Sequence, residues 1–396
     1  MTKEKIYYID NLRVLLTALV ILHHSFVTYG APGGWYYMEK TTHVGALIPM
    51  TFFVSVNQSF FMGFFFFLSA LFLESSLERK GTRQFIADRL KRLGIPLVFY
   101  SLILSPFVDY LVDRFGNGEK ISLWQYLHGF HHWVDFGVLW FVAALLIFTL
   151  LYTLIRPLIG PKPGRLPLVA RISDKQAAGP IIQPKASKWA SVPSNKRILL
   201  FAFGLGLVSY LVRILFPVGW ILQPFGFQLA HFSQYIALFA LGIAAARYHW
   251  LDQFDIKKAK PFLIVAIAFI LIGFPLLYVL KAVTGSSIAD FVGGGSYQSF
   301  LSAAWEQITG ISIIVVLLGY CRQKWSRQSP LLKNMARSAY GVYIIHPLVL
   351  VCLSLLFMNL PIDPAFKVLI VGPLAVMSSF LIGALLVATP GIKNII

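Results

Sequence analysis

Charged residues and cysteines are scarce in this chain of 396 residues. Only 13% of the residues are charged, whereas soluble domains carry about 25%, so a water-soluble globular fold is excluded. The two cysteines, Cys321 and Cys352, lie in unrelated segments without metal-ligand spacing. That placement indicates neither a disulfide framework nor a cysteine metal site. Hydrophobic residues, by contrast, make up 57% of the chain.

Apolar runs that could each cross about 30 Å of hydrocarbon, at about 20 residues a run, recur along the whole sequence. They predict an all-α fold, a polytopic transmembrane helical bundle of about ten spans. The first run follows two lysines and resembles a signal peptide, but the histidines inside it and the further runs behind it favour a retained anchor. The spans are expected at residues 12–29, 48–73, 93–114, 137–159, 198–216, 228–247, 261–281, 299–320, 340–358 and 366–388.

Basic residues follow the loops of one parity. If the N-terminus is cytoplasmic, 28 of the 34 Lys and Arg residues fall on the cytoplasmic side, as the positive-inside rule expects. We therefore predict that both termini are cytoplasmic in a multi-pass cell-membrane protein, in the inner membrane if the source is bacterial. The net charge of +18 then faces anionic lipid headgroups. Because the charge forms no separate domain, nucleic-acid binding is not expected.

Three units are predicted along the chain. Residues 1–160 form an N-terminal transmembrane block of four spans, and residues 198–396 form a C-terminal block of six spans. Residues 161–197 between them are rich in Pro, Lys and Ser and are expected to be a cytoplasmic linker. The sequence shows no glycine-rich phosphate loop, which argues against an ATP-driven pump.

The stretch "NLRVLLTALVILHH", residues 11–24, places ionisable groups at both ends of an apolar run. Arg13 and His24 are eleven residues apart, about three helical turns, so their side chains share one face about 16 Å apart. Asp10 can hold the Arg13 guanidinium as an i,i+3 pair. Alone, Arg13 could be an interface residue and His24 a packing residue, but intramembrane ionisable groups usually face a polar path. Histidine also suits proton transfer near neutral pH.

Three further positions carry candidate chemistry. Arg89 and Arg92 form R-x-x-R before the third span and could clamp phosphate oxygens, although basic residues there often only set topology. His346, followed by Pro347, lies in the ninth span and could equally be a packing histidine. Glu306 is the lone acid in the apolar part of the eighth span, so it must be neutral, paired or facing water.

Several of these stretches together resemble the integral-membrane acyltransferase 3 family. "RVLLTALVILHH" is similar to the family's R-x10-H pattern, and "FFFFLSALFL" followed by "RLKRLGIPL" to its phenylalanine-rich span and R-x-x-R element. "GVLWFVAALL" and "SAYGVYIIHPL", which contains Tyr343 and His346, are similar to two later segments. The matches run in family order over nearly the whole chain. The opening "YYIDNLRV" and the chain length resemble the glucan-succinylating members.

The resemblance implies a membrane O-acyltransferase of the cell envelope. Such enzymes move an acyl group, acetyl or succinyl for example, from cytoplasmic acyl-CoA to a hydroxyl of an extracytoplasmic glycan or lipid-linked sugar. It implies that His24 is the catalytic base, that Arg13 orients or stabilises reacting groups, and that Arg89 and Arg92 hold donor phosphates. Glu306 matches an acid found in the same region of the family. Acyl-CoA is then a co-substrate, and no permanently bound cofactor is expected.

The oxyanion of such a transfer needs a hydrogen-bond donor, and Asn57 and Ser59 are candidates. With Asp10, Tyr343 and His346 they are expected to line the site. The alternative function is a secondary transporter with an intramembrane His/Glu pathway, and a third is a non-catalytic scaffold. Three histidines in "LWQYLHGFHHWVDF", namely His128, His131 and His132, could bind a metal, but an interfacial segment is favoured and no metal is expected. The acyl group, the acceptor, the oligomeric state and the choice between direct transfer and an acyl-enzyme intermediate are left open by the sequence.

Overall fold

The computed structural model describes residues 7–131, 133–159 and 191–395. Ten helices in this part of the chain are long and apolar enough to cross a membrane: α1 (Tyr7–Thr28), α2 (Val44–Lys80), α3 (Thr82–Gly116), α4 (Gly137–Leu158), α5 (Asn195–Leu215), α6 (Leu229–Arg247), α7 (Ile256–Thr284), α8 (Tyr297–Lys324), α9 (Pro330–Leu356) and α10 (Pro364–Ala388). The described residues contain no β-strand. The predicted all-α bundle of about ten spans is therefore confirmed.

Several spans are built from shorter helical segments. α2 consists of Val44–Gln58, Phe61–Ala70 and Leu73–Lys80. α3 consists of Thr82–Arg89, Ile95–Phe99 and Ser105–Leu111, each followed by a π-helical turn at Leu90–Gly94, Tyr100–Leu104 and Val112–Gly116. α7 contains a π-turn at Phe269–Gly273 between Ile256–Ala268 and Phe274–Thr284, whereas Gly137–Leu139 and Leu229–His231 are 3₁₀ turns that open α4 and α6. Short helices outside the spans are Leu123–Gly129, Trp250–Gln253, Ala289–Val292 and Ile392–Asn394.

Two helices begin earlier than the hydropathy pattern predicts. α1 is already helical at Tyr7, the first described residue, and Tyr8 and Ile9 are buried in the core and extend its apolar face towards the N-terminus. α3 begins at Thr82, so Arg89 and Arg92 lie inside a continuous 35-residue helix instead of preceding it. Hydropathy marks only the part of a helix that matches hydrocarbon, and packing extends the helix beyond it.

The bundle is held together by contacts between early and late helices. α1 packs against α9 and α10, and the segment Phe61–Ala70 of α2 packs against α6. α8 packs against α5 and α7. Leu154 and Leu158 of α4, by contrast, are 73% and 86% exposed, as expected for side chains that face lipid. The boundaries of the two predicted blocks stay a prediction, and residues 161–190 of the expected linker lie outside the described residues.

The loop after α1 folds back over the end of that helix. The backbone N–H of Glu39 donates to the carbonyl of Thr28 at 2.8 Å. The Glu39 carboxylate accepts from Lys367 Nζ of α10 at 2.6 Å, and the lysine side chain is only 1% exposed. A charge-assisted hydrogen bond of this kind is stronger than a neutral one, so it fixes the loop that carries Trp35 against the helices.

Candidate functional site

Aromatic rings from three elements gather around His24. Trp35, from the loop after α1, stacks on the His24 ring with centroids 4.0 Å apart and an interplanar angle of 19°. His346 of α9 is nearly parallel to both rings, at 5.6 Å from His24 and 6.1 Å from Trp35. His23 meets His24 edge-on at 5.5 Å. The structure therefore brings together His24 and His346, which the sequence separates by more than 300 residues.

This ring cluster, formed by His24, Trp35 and His346, contains buried polar atoms without partners. His346 is fully buried, and its Nδ1 lies 2.8 Å from the Tyr343 carbonyl oxygen. Because a carbonyl only accepts, Nδ1 carries the proton and Nε2 presents a lone pair. Neither that Nε2, nor His24 Nδ1, nor Trp35 Nε1 has a hydrogen-bond partner among the described residues. Most buried polar atoms are hydrogen-bonded, so three orphaned atoms in one cluster make it a candidate binding site.

His24 is half-buried as a residue, although its Nδ1 is buried. His24 also lies four residues before Thr28, where α1 ends. At about 1.5 Å per residue it is about 6 Å from that end of the helix and about 16 Å from Arg13. The imidazole is therefore nearer to the membrane face opposite the one at which Arg13 lies.

Three arginines form a basic mouth at the other end of the bundle: Arg13 of α1, and Arg89 and Arg92 of α3. Arg13 pairs with Asp10 at 3.4 Å and packs over the Phe72 ring at 5.2 Å. The charges of the three guanidinium groups are close enough to act on one another. Asp10 pairs with Arg13, and Asp88 acts on Arg89. Because Asp88 also pairs with Lys80, the three arginines leave an excess of positive charge.

Arg89 and Arg92 have different surroundings. Arg89 is half-buried and lies over the Phe85 ring at 4.9 Å, whereas the Arg92 side chain is exposed. The backbone carbonyl of Arg92 accepts from the Tyr340 hydroxyl of α9 at 2.8 Å. The helix turns from α to π between the two arginines, at Leu90. That change alters the angular spacing of Arg89 and Arg92. The two arginines therefore do not follow the regular i,i+3 spacing expected from the sequence, and the π-turn that contains Arg92 is anchored to α9.

Glu306 belongs to a separate polar network. Its carboxylate accepts from Arg213 Nη2 of α5 at 2.6 Å and lies 3.0 Å from His231 Nδ1 at the start of α6. Gln307 donates to it at 3.3 Å, and Gln234 of α6 joins Gln307 to α2. No hydrogen bond or ion pair among the described residues links Glu306 to His24, and Glu306 is held in place by its ion pair with the fully buried Arg213.

The candidate oxyanion donors lie at the break in α2. Asn57 Nδ2 lies 3.2 Å from the Leu19 carbonyl and 3.3 Å from His23 Nδ1, so it stands beside His23. The Ser59 hydroxyl donates to the Val56 carbonyl at 2.7 Å within its own helix. The Ser59 carbonyl accepts from Gln234 Nε2 at 2.7 Å. Asn57 thus contacts a histidine of α1, whereas the hydroxyl and carbonyl of Ser59 are hydrogen-bonded to Val56 and Gln234.

Two further predicted residues have structural partners. The Tyr343 hydroxyl donates to the Val138 carbonyl at the start of α4, and its ring lies 5.7 Å from His346. Among the histidines of the interfacial segment, His128 contacts Trp124 at 2.9 Å, whereas His132 lies outside the described residues. In the part of the chain that the structure describes, no group of three or more His, Cys, Asp or Glu is placed to hold a metal ion.

Sequence reasoning missed several residues that the structure places here. Trp35 has no sequence signal, because its loop position becomes relevant only when the loop folds back on α1. Arg213 and Lys367 did carry a signal: each is a lone cation that the loop-parity count leaves on the less basic side. Both are 1% exposed and ion-paired, to Glu306 and Glu39. Intramembrane cations of this type usually have such partners.

Comparison with known proteins agrees with this architecture. The family model described as an acyltransferase domain, acyltransferase 3, matches residues 6–389, nearly the whole chain. No curated protein and no solved structure matches the chain significantly. The family is one of acyltransferases, and the ten apolar helices indicate a multi-pass membrane protein with an acyl donor and an acceptor as partners. The chain therefore belongs to the integral-membrane acyltransferase 3 family and is a membrane acyltransferase.

Proposed function

We propose that this protein transfers an acyl group from cytoplasmic acyl-CoA to a hydroxyl of an extracytoplasmic glycan or lipid-linked sugar, with His24 as the general base. The observation that carries the proposal is the course of α1. One helix places Arg13 in a basic mouth near one face and His24 in a cluster of orphaned polar atoms near the other. An enzyme that joins two compartments needs its base between them.

The donor side of the proposal rests on charge. Arg89 and Arg92, with Arg13 behind them, bind the phosphates of CoA, because guanidinium groups match phosphate oxygens in geometry and charge. The pantetheine arm then reaches between the helices towards His24. The rise of about 16 Å along α1 is comparable to the length of that arm when it is extended. The face with the basic mouth is then the cytoplasmic one, in agreement with the predicted orientation.

The chemical step is a direct transfer. The His24 imidazole removes the proton from the acceptor hydroxyl as its oxygen attacks the thioester carbonyl carbon. The carbon–sulfur bond breaks, the ester forms, and the departing CoA thiolate recovers the proton from the imidazolium. Trp35 stacks on the His24 ring and the nearly parallel His346 ring lies beside it, so the base is oriented before the substrate arrives. Asn57 supplies a donor near the oxyanion.

The membrane, the acyl group and the acceptor follow from the same proposal. The protein then works in the cell membrane, the inner membrane if the source is bacterial, and modifies the cell envelope. Acetyl and succinyl are both compatible acyl groups, and the resemblance of "YYIDNLRV" to glucan-succinylating members favours a glucan acceptor. Glu306 acts through the packing of α5, α6 and α8 in this account.

Proteoliposomes test the proposal. The purified protein is reconstituted with labelled acyl-CoA on the side of the basic mouth and purified glycan on the other side. Acyl ester on the glycan supports the proposal, whereas uptake of a solute without ester formation supports a transporter. If neither occurs, the proposed reaction is wrong for these substrates. Empty liposomes and liposomes with the His24→Ala variant are the controls for spontaneous acylation.

A further inference from the structure

A polar cavity of about 560 Å³ opens at the end of α3 that is remote from the basic mouth. Its wall comes from the loop after α1, the last turns of α3, the interfacial helix Leu123–Gly129 and the segment before α4. Asp109 and Arg89 are twenty residues apart on α3, about 30 Å along a helix. The cavity and the basic mouth therefore face opposite sides of the membrane. Its polar lining residues are Asp109, Asp113, Asn117, Gln125, His131 and Asp135.

The three carboxylates of the cavity have no ion pair with a cation among the described residues. Asp135 accepts from the Gly137 N–H at 2.9 Å and from Ser105 Oγ at 3.4 Å, and Asp113 accepts from Asn117 at 2.8 Å. Asp109, which is half-buried, has neither a hydrogen bond nor an ion pair among the described residues. Carboxylates accept hydrogen bonds and repel anions, so the cavity suits a ligand that donates O–H or N–H groups and carries no negative charge.

Aromatic residues give the cavity flat apolar surfaces. Tyr36, Tyr126 and Phe130 line it, and Tyr126 lies 5.8 Å from Phe130, centroid to centroid. An aromatic face packs against the C–H surface of a sugar ring, while the carboxylates around it accept from the sugar hydroxyls. Aromatic walls with a few convergent polar groups are typical of small-molecule sites.

Tyr36 connects this cavity to the ring cluster. Its ring meets Trp35 edge-on at 5.2 Å, and Trp35 stacks on His24 at 4.0 Å. The Tyr36 hydroxyl lies 2.6 Å from the Tyr100 hydroxyl, and burial raises the pKa of the Tyr36 phenol, which keeps it protonated. Gly137, at a φ of +43°, leaves room for this pair, because a Cβ there would lie 2.2 Å from the Tyr36 oxygen.

An independent observation also points to a ligand at the ring cluster, which Tyr36 contacts through Trp35. The fully buried His346 presents Nε2 without a partner among the described residues, and the buried atoms His24 Nδ1 and Trp35 Nε1 are orphaned beside it. A sugar whose ring occupies the cavity and whose reactive hydroxyl reaches past Tyr36 would bring polar groups to these atoms.

We propose that the cavity binds the acyl acceptor and selects an uncharged saccharide over a phosphorylated or carboxylated one. The inference rests on the proposed acyl transfer and adds the substrate class. Asp109 and Asp135 accept from sugar hydroxyls, and Tyr126 packs against a sugar ring. An anionic sugar would meet three carboxylates, and the described lining contains no lysine or arginine to compensate them.

Binding without the acyl donor tests the proposal. The full-length protein in nanodiscs is titrated with a linear glucose hexasaccharide and with a galacturonic acid hexasaccharide of the same length, and binding is followed calorimetrically. We expect the neutral oligosaccharide to bind at least tenfold more tightly. Asp109→Asn should weaken its binding by about tenfold, the loss of one charge-assisted hydrogen bond. Tyr126→Ala should weaken it by a similar factor through lost ring packing.

Glu119→Gln is the matched control. Glu119 is an exposed carboxylate in the loop between α3 and the interfacial helix Leu123–Gly129, and it does not line the cavity. It should leave the affinity within twofold of wild type, and acyl-CoA binding by each variant checks its fold. Equal affinity for the acidic oligosaccharide, no binding of the neutral one, or unchanged binding by Asp109→Asn and Tyr126→Ala would each overturn the inference. Cavity-dependent binding without acylation of any bound sugar would instead refute the proposed reaction.

Discussion

Substitution of a single arginine in the basic mouth should weaken the binding of the acyl donor, and the effect should be larger for the more buried arginine. Arg89 is half-buried over Phe85, whereas Arg92 is exposed. A hydrogen bond to a charged group contributes about 1.5–3 kcal/mol, and exposed ion pairs contribute about 0.2–1 kcal/mol. Since about 1.4 kcal/mol is tenfold in affinity, Arg89→Ala should raise the KM for acyl-CoA by about tenfold to a hundredfold and Arg92→Ala by no more than about fivefold.

The assay is steady-state transfer by reconstituted protein, with acyl-CoA varied and acceptor saturating. Neither change should lower kcat by more than about twofold, because the arginines are remote from the bond that breaks. Lys91→Ala is the matched control: it removes an equal charge from the same π-turn, at an exposed position between the two arginines. Its KM should stay within about twofold of wild type.

Salt gives a second test of the same reasoning. The Debye length falls from about 10 Å at 0.1 M to about 3 Å at 1 M ionic strength, so the wild-type KM for acyl-CoA should rise with salt. The KM of the variant without both arginines should rise less. If Lys91→Ala raised KM as much as Arg89→Ala, or if neither Arg89→Ala nor Arg92→Ala changed KM, Arg89 and Arg92 would serve only topology and the donor assignment would be refuted.

Two further predictions concern the neighbouring clusters. Glu306→Gln leaves the buried Arg213 charge without its partner and should lower the free energy of unfolding in detergent by about 3–5 kcal/mol. The double variant Glu306→Leu with Arg213→Met should recover most of that loss. Equal stability of Glu306→Gln and wild type would show that the pair is not structural. Trp35→Ala removes the ring stacked on His24, an interaction of about 0.5–1.5 kcal/mol, and should lower kcat about threefold to tenfold while the donor KM is unchanged. Trp35→Phe should restore most of kcat. An unchanged kcat in Trp35→Ala would show that the stack does not position the base.

The helices and their number could be predicted from the sequence because long apolar runs in a bilayer have few alternatives to a helix. The helix ends were less accurate, since Tyr8 and Ile9 extend α1 through packing and not through hydrocarbon length. The R-x-x-R spacing was visible in the sequence, but the π-turn at Leu90 was not. A π-turn is decided by local packing, which a regular periodicity cannot report.

The site was only partly predictable. The register of Arg13 and His24 on α1 follows from helical geometry alone. Their partners come from other segments of the chain. His346 lies beside His24 because α9 packs on α1. Trp35 stacks on His24 because the loop that carries it is fixed by the ion pair of Glu39 with Lys367. Contacts between segments distant in sequence carry no local pattern. For the same reason Glu306 looked like an isolated acid until Arg213 and His231 were seen beside it.

The central claim is that His24 is the base, and one comparison tests it most directly. His24→Ala and His23→Ala remove the same side chain from adjacent positions of α1, and His23 stacks on Phe61 at 5.0 Å, away from Trp35. With acyl-CoA and glycan both saturating, we predict that His24→Ala lowers kcat by about 10²–10⁴-fold with acyl-CoA binding retained, and that His23→Ala lowers it far less. Ester formation by His24→Ala at a rate near that of wild type would contradict the account.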